Sequence, residues 1–378
     1  MVEGLAKQKP GGGSELYRTT TRLFLDGKVD RALVALSDEK LRDLSKAPKE
    51  GKVEAEKITE EAIRAWVLKA QLLTVQFRFN DAEKAYQGAI ETSPESFGAN
   101  FAFAWFNQQL NHYDKAMSAY ERCLELARRN QDNGKIAMTR NNLATLDADQ
   151  NRPEAARKGF EQALKIYREL AKNDPDTHLP DLALTLNNLA TLDRAQNRMD
   201  ASRNGYEEAL KIYRQLAKKN PHTYVSYVAV TANNLAALDG DAGRMKEARK
   251  GLKLALQIRR ELAQNNPDAY LPDLAMTLNN LAALDRAQNQ PEEARKGFEE
   301  ALEIYRQLAK KNPDAYLPEV ARTLNNLAVL DVDQNRRKEA RKGLEEALEI
   351  YERFGKRNPE RFQSDVARVK LQLQALSK

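Results

Sequence analysis

Apolar residues along this chain recur at helical spacing and almost never alternate. In Glu293-Ala-Arg-Lys-Gly-Phe-Glu-Glu-Ala-Leu-Glu-Ile-Tyr305 they fall at Phe298, Ala301, Leu302 and Tyr305, and just upstream at Leu278, Leu281 and Ala282. Positions three and four apart share one face of an α-helix, so the pattern predicts paired amphipathic helices. Period-two alternation bounded by turn residues is missing, which predicts no sheet.

The pairs repeat. Asn-Asn-Leu-Ala occurs at Asn141, Asn187, Asn233, Asn279 and Asn325, at a constant interval of 46 residues. Each unit reads Ala-x-Thr-x-Asn-Asn-Leu-Ala-x-Leu-Asp, then a polar turn such as Gln196-Asn197-Arg198, then the second helix. Proline is tolerated in a helix's first turn or just past its end and costs ~3 kcal/mol in the interior. Pro153 and Pro291 therefore mark the start of second helices. Pro180, Pro272 and Pro318 mark the start of first helices, and Pro175, Pro221, Pro267, Pro313 and Pro359 the end of second ones. On this reading no proline interrupts a helix.

Upstream the period shortens: Ala82, Ala85, Tyr86 and Ala89 match Ala116, Ala119, Tyr120 and Cys123 at a spacing of 34. The chain then divides into a flexible N-terminus (1–14, ending Gly11-Gly12-Gly13-Ser14) and a degenerate helical hairpin (15–58) with helices at Leu16 to Leu25 and Val29 to Leu44. Two 34-residue units (59–130), five 46-residue units (131–363) and a capping helix (364–378) follow. Between Leu44 and the first regular unit, Ser45 to Gly51 is expected to be a loop.

The order Trp66, Ala70, Ala82, Tyr86, Ala89, Pro94 in a 34-residue helix-turn-helix resembles the tetratricopeptide repeat (TPR). The Thr-Leu-Asn-Asn-Leu-Ala units are similar to the extended TPRs of kinesin light chains, and more closely to the long TPR arrays of bacterial signalling and defence proteins. The resemblance covers residues 60 to 378. It implies an all-α, right-handed superhelical solenoid of antiparallel helix pairs, in which first helices line a concave groove that takes a segment of a partner protein. Two departures stand out. Asp147, Asp193, Asp239, Asp285 and Asp331 replace the repeat's tyrosine near the end of the first helix, where a partly exposed carboxylate supporting the turn, or one meeting an arginine, is expected. The last helix carries Gln372 where Asn326 stands one unit earlier.

Composition narrows the function. Among 378 residues there is one cysteine, which excludes a disulfide framework and a thiolate metal cluster. His112, His178 and His222 fall in or beside turns of different units, too scattered for a metal site or an acid-base pair. Gly11 to Gly13 lacks the Gly-Lys-Ser/Thr of a phosphate loop. The reading is a chain that is not an enzyme and holds no cofactor. No apolar run approaches the ~18 residues that span a bilayer, and the polar N-terminus has no leader-like core, so the chain reads as cytoplasmic. The net charge is +6, from 61 Lys+Arg against 55 Asp+Glu. Arg295-Lys296 ahead of Glu299-Glu300, and Arg341-Lys342 ahead of Glu345-Glu346, compensate charge within helices. That argues against nucleic acid as partner.

The candidate partner-binding residues lie on the first helices. Asparagine is a mediocre helix former, so two in succession at five mid-helix positions need a reason. A carboxamide can both donate to and accept from an extended peptide, and the TPR resemblance assigns that work to Asn142, Asn188, Asn234, Asn280 and Asn326. The preceding asparagines are open to a structural role between neighbouring repeats. Arg194 and Arg286 alternate with Asp149, Asp241 and Asp333 one residue further along, which gives a bipolar groove suited to a protein. Phe101 and Trp105 replace the polar pair in an earlier unit and are expected as an aromatic anchor pocket, if they do not pack on the N-terminal helices. The expected function is a non-catalytic scaffold or adaptor binding an extended or helical partner segment from Phe101 and Trp105 to Asn326. The alternative is a regulatory or substrate-recognition subunit of a bacterial effector complex.

Overall fold

A computed structural model describes residues 15–46 and 52–376. The expected flexible N-terminus, and Ala47 to Gly51 of the expected loop, lie outside the described residues. Every regular element described is an α-helix, as the hydrophobic periodicity predicts. The chain divides into two compact units, residues 1–173 and 174–378.

The first unit contains α1 (Glu15–Leu25), α2 (Val29–Ala35), α3 (Asp38–Lys46), α4 (Lys52–Val75), α5 (Phe79–Thr92), α6 (Phe97–Gln109), α7 (Tyr113–Arg129), α8 (Asn133–Asp149) and α9 (Pro153–Asn173). The expected second helix of the hairpin is broken in two. Leu36 closes α2, and Ser37 followed by Asp38 and Glu39 opens α3 with the acidic first turn that complements a helix dipole. Lys46 ends α3, and α4 begins at Lys52 rather than 59. Trp66, Ala70, Ala82, Tyr86 and Ala89 are all buried together, which is the packing their order implies.

The second unit contains α10 (Pro175–Ala195), α11 (Met199–Lys219), α12 (Pro221–Asp241), α13 (Met245–Asn265), α14 (Pro267–Ala287), α15 (Pro291–Lys311), α16 (Pro313–Asp333), α17 (Arg337–Gly355) and α18 (Pro359–Leu376). First helices of each pair (A helices: α10, α12, α14, α16) alternate with second ones (B helices: α11, α13, α15, α17), and successive helices pack on one another. The 46-residue period is not a short repeat with a long linker. It consists of two 21-residue helices, a three-residue turn and a single-residue joint: Asn220 between α11 and α12, Asn266 between α13 and α14, Asn312 between α15 and α16.

That joint explains where the proline reading fails. Pro175, Pro221, Pro267 and Pro313 are not terminators but the first residues of the next helix, where the missing N–H has no intrahelical use. The residue before each proline caps the helix: Asn266 Oδ1 accepts from the Ala269 amide and Asn312 Oδ1 from the Ala315 amide, both at 3.3 Å. Helices therefore start five residues earlier than expected, and Pro180, Pro272 and Pro318 lie inside them. The final helix likewise begins at Pro359 rather than 364.

The A-to-B turns close by one device. In α10 the Arg198 amide donates to Asp193 O at 2.8 Å and the Asn197 amide to Arg194 O at 3.0 Å. Asn197 itself has φ 58°. This is a Schellman closure, repeated with Asn289 and Asn335 and with Gly243, whose φ is 71°. Beyond the turn, a glycine on each B helix lets the pair approach: a Cβ on Gly297 would sit 2.9 Å from Ala282 Cβ, and one on Gly251 the same distance from Ala236 Cβ. Gly343 is the exception, with 3.7 Å to spare from Ala328 Cβ.

Candidate functional site

The A helices of the second unit carry the asparagine pairs, and the pairs are joined across repeats. Asn234 Nδ2 donates to Asn187 Oδ1 at 3.3 Å, Asn280 Nδ2 to Asn233 Oδ1 at 3.2 Å, and Asn326 Nδ2 to Asn279 Oδ1 at 3.2 Å. In two of the three bonded pairs the first asparagine is the better buried: Asn233 and Asn279 are buried, while Asn187, Asn234, Asn280 and Asn326 are half-buried. Both members thus have a structural task, and the second keeps a carboxamide oxygen for the surface. The Oδ1 atoms of Asn234, Asn280 and Asn326 accept no hydrogen bond from any described residue. Asn188 is half-buried on the same ladder position. In the first unit, Asn142 Nδ2 instead turns back to Met138 O at 2.8 Å.

The charged candidates also pair across repeats. Arg194 Nε donates to Asp241 Oδ2 at 2.7 Å, and Arg286 Nε to Asp333 Oδ2 at 2.6 Å. The alternation of Arg and Asp read from the sequence is thus a set of inter-repeat ion pairs, all partly exposed, on the ladder side of the A helices. Exposed pairs of this kind add little stability, roughly 0–1 kcal/mol. They leave the surface polar but locally neutral.

Phe101 and Trp105 lie in α6 of the first unit, and both are half-buried. Phe101 does not pack on the N-terminal helices. Its ring stacks on Phe97 with centroids 5.6 Å apart and meets Tyr120 edge-on at 5.3 Å.

On the opposite face the aspartates that replace the repeat's tyrosine meet arginines, one of the two expected roles, but sequence reasoning missed their burial and the repeat from which the arginine comes. Asp147 is half-buried, whereas Asp193, Asp239, Asp285 and Asp331 are buried, Asp239 and Asp331 each 3 % exposed. An arginine from the preceding B helix reaches three of them, Arg203 to Asp239, Arg249 to Asp285 and Arg295 to Asp331. A second comes from just past the turn, Arg244 Nε to Asp239 at 2.8 Å and Arg336 Nε to Asp331 at 3.4 Å. Asp285 lacks the second arginine because Gln290 stands there, and burial pushes its carboxyl above the usual carboxylate range against the pull of Arg249. On the outer face the expected i,i+4 pairs form at Arg295–Glu299 and Arg341–Glu345, at 3.8 and 3.9 Å, while Glu300 and Glu346 pair between helices instead. Arg260 holds both oxygens of Glu300 at 2.9–3.0 Å, and Arg306 those of Glu346 at 2.7–2.9 Å, each joining neighbouring B helices.

Two buried groups have no counterpart in a binding role. Cys123 packs with its thiol 3.8 Å from Phe97 O, and burial pushes its pKa up to about 12. Arg259, 2 % exposed, occupies the place of the buried tyrosines Tyr213, Tyr305 and Tyr351; it donates to Asp273 O at 2.9 Å and to Thr277 Oγ1, and its Nε has no acceptor. Among the described residues no group of His, Cys, Asp and Glu is placed to hold a metal ion, and no helix is long and apolar enough to cross a membrane.

Comparison with known structures agrees with this architecture. BtubC (BKLC) from P. vanneervenii is 22 % identical, with a TM-score of 0.51 over 67 % of this chain and 93 % of that one. The apo quorum sensor NprR from B. thuringiensis is 15 % identical, with a TM-score of 0.59 over 92 % of both chains. Apo RapI is 14 % identical, with a TM-score of 0.54 over 94 % of this chain and 96 % of that one. At such identities the likeness is one of fold. No curated protein matches the sequence. Sequence models of the tetratricopeptide repeat match residues 104–169, 182–222, 227–307 and 320–353. With the helix pairs, their small-residue contacts and their Schellman turns, those matches show that the chain belongs to the tetratricopeptide-repeat family.

Proposed function

We propose that the chain is a non-catalytic scaffold that holds a segment of a partner protein along the asparagine-bearing face of its A helices. The observation that supports this is the row of carboxamide oxygens at Asn234, Asn280 and Asn326. Each is fixed in place by its own amide's bond to the preceding repeat, and none accepts a hydrogen bond from a described residue. A preorganised acceptor loses little entropy when a donor arrives, and each net hydrogen bond contributes ~0.5–1.5 kcal/mol. The partner on this reading supplies donors, either backbone N–H groups of an extended segment or side-chain amides and cations. The Arg194–Asp241 and Arg286–Asp333 pairs border the row and open to exchange with partner charges. Asn188 holds the same position one repeat earlier, and Asn142, Phe101 and Trp105 are the candidates of the first unit.

Two triple variants test the reading. Asn234→Ala, Asn280→Ala and Asn326→Ala together remove acceptors as well as ladder bonds. Asn187→Ala, Asn233→Ala and Asn279→Ala break ladder bonds at the other end and leave the acceptors. Quantitative affinity capture from the source cell should lose its principal partner with the first set and keep it with the second. Equal capture by both sets would sink the assignment.

A further inference from the structure

A second surface lies on the other side of the A helices. The residues Ala232, Ala236 and Asp239 of α12 lie on the helix side opposite Asn234, since each residue turns the helix by about 100°, and Leu235 borders them. Together with α11 and α13 they enclose a slot of about 740 Å³. Its floor is Leu210, Leu235, Leu254, Ala232 and Ala236, and its rim carries Lys211, Arg214, Lys218 and Lys250.

The slot exists because α13 departs from its sister helices. At the position of Leu254 the other B helices have Gln162, Glu208, Glu300 and Glu346, and at Lys253 they have Glu161, Glu207, Glu299 and Glu345. Where the glutamate is present in α15 and α17, it bridges the gap between B helices by taking both oxygens to Arg260 or Arg306. Arg214 occupies the same place as those arginines but faces Leu254. It has no acidic partner among the described residues, and neither have Lys211, Lys218 and Lys250. Two lost carboxylates and one gained ammonium leave this joint basic and apolar at once, whereas the joints at Arg260–Glu300 and Arg306–Glu346 are bridged.

We infer that this slot docks an acidic amphipathic helix of a partner protein, which supplies in trans the carboxylate that Leu254 withholds and lays leucine-type side chains on the floor. Charge complementarity selects the occupant. A polyanion such as nucleic acid gains nothing from a leucine and alanine floor. An acidic helix matches both features: apolar anchors at i, i+3 and i+4 below, with carboxylates beside them for Arg214 and Lys250. The site is independent of the asparagine row, so either can fail alone.

The test uses the full chain and a labelled peptide designed as an amphipathic helix, with leucines on one face and glutamates flanking them. Its control carries glutamine for every glutamate. Binding is followed by fluorescence anisotropy at low and high salt. Leu254→Glu restores the residue that Glu300 and Glu346 show to be compatible with the fold, and it fills the slot with the missing ion pair. Wild type should bind the acidic peptide, more weakly as salt rises. Leu254→Glu, and the glutamine peptide, should each weaken binding by at least about tenfold, the worth of one charge-assisted contact. Absence of binding by wild type, or equal binding by Leu254→Glu, overturns the proposal. So does a wild-type dimer in sedimentation velocity that Leu254→Glu dissolves, which would give the slot to a second copy. An oligonucleotide that competes for the slot and is lost in the same variant would give it to nucleic acid.

Discussion

Arg295 Nη2 on α15 holds the Asp331 carboxylate on α16 at 2.5 Å, so a B helix of one repeat is bolted to the A helix of the next. Asp331 is 3 % exposed and Arg336 approaches it from the other side. Removing the carboxylate leaves Arg295 half-desolvated, with the neutral Gln334 Oε1 at 2.7 Å and the carboxylate of Glu299 no nearer than 3.8 Å. Asp331→Ala should destabilise the array by about 2 kcal/mol, the usual worth of charged hydrogen bonds lost at a largely buried site. A urea titration followed by circular dichroism reads this as a lower midpoint; an unchanged midpoint would show that the bolt is decorative.

Removing the carboxylate's charge should have the opposite sign one repeat earlier. Asp285 has a single arginine, and its folded-state carboxyl lies above the ordinary range, chiefly through burial. A raised acid pKa means that the folded state prefers the proton, so the stability linked to this group is lost as pH rises through the folded value. Asp285→Asn should raise the thermal midpoint at neutral pH, and the gain should shrink as pH falls through the carboxylate range. A gain that persists when Asp285 is protonated would refute the electrostatic cause.

Arg259 tests what a buried charge does in a tyrosine's place. Desolvation pulls its pKa down against the attraction of Asp273, and its Nε has no acceptor. Replacing incompletely paired buried ions by well-packed side chains is neutral or stabilising by roughly 1–4 kcal/mol. Arg259→Tyr, which copies Tyr213 and Tyr305, should therefore raise the midpoint, and Arg259→Ala should lower it by opening a cavity. A fall with tyrosine would mean that the bonds to Asp273 O and Thr277 outweigh the desolvation.

The glycine contact separates geometry from propensity. Gly297→Ala drives a methyl to within 2.9 Å of Ala282 Cβ and should cost about 1–3 kcal/mol by overpacking. Gly343→Ala meets nothing closer than 3.6 Å and should be stabilising, by up to about 1 kcal/mol of helix propensity. Thermal melts of the two variants should move in opposite directions.

Cys123 should be inert in the native protein. With the thiol pKa pushed up to about 12, the thiolate fraction at pH 8 is about a thousandfold below that of a free cysteine near 8.5. Alkylation should be slow in buffer and fast in urea. Rapid native labelling would contradict the burial.

Much of this architecture could be read from one sequence because periodicity is a property of every repeat at once. The helix pairs, the buried Ala82, Tyr86 and Ala89, and the regular Asn-Asn positions needed no partner residue to be recognised. The misreadings share a cause. Asp239 looked like a turn residue because its partner Arg203 lies 36 residues earlier, in a different repeat. Pro180 looked like a helix start because the cap at Asp174 and the first-turn proline Pro175 had been read as the end of the preceding helix. The slot at Leu254 was visible in principle: setting the B helices in register shows one leucine in a column of glutamates and a glutamine. The signal lay in a difference between repeats, and a search for what the repeats share passes over it.

The single-residue joints at Asn220, Asn266 and Asn312 bear on how such a chain can change over generations. One inserted residue turns the remainder of a helix by about 100° and would carry that helix's ladder asparagine and bolted aspartate off their mates. Insertions and deletions are therefore confined to whole 46-residue blocks, gained or lost by duplication. Within a fixed number of blocks, only point substitutions remain to individualise a repeat, and the lysine and leucine at 253 and 254 are a substitution of that kind.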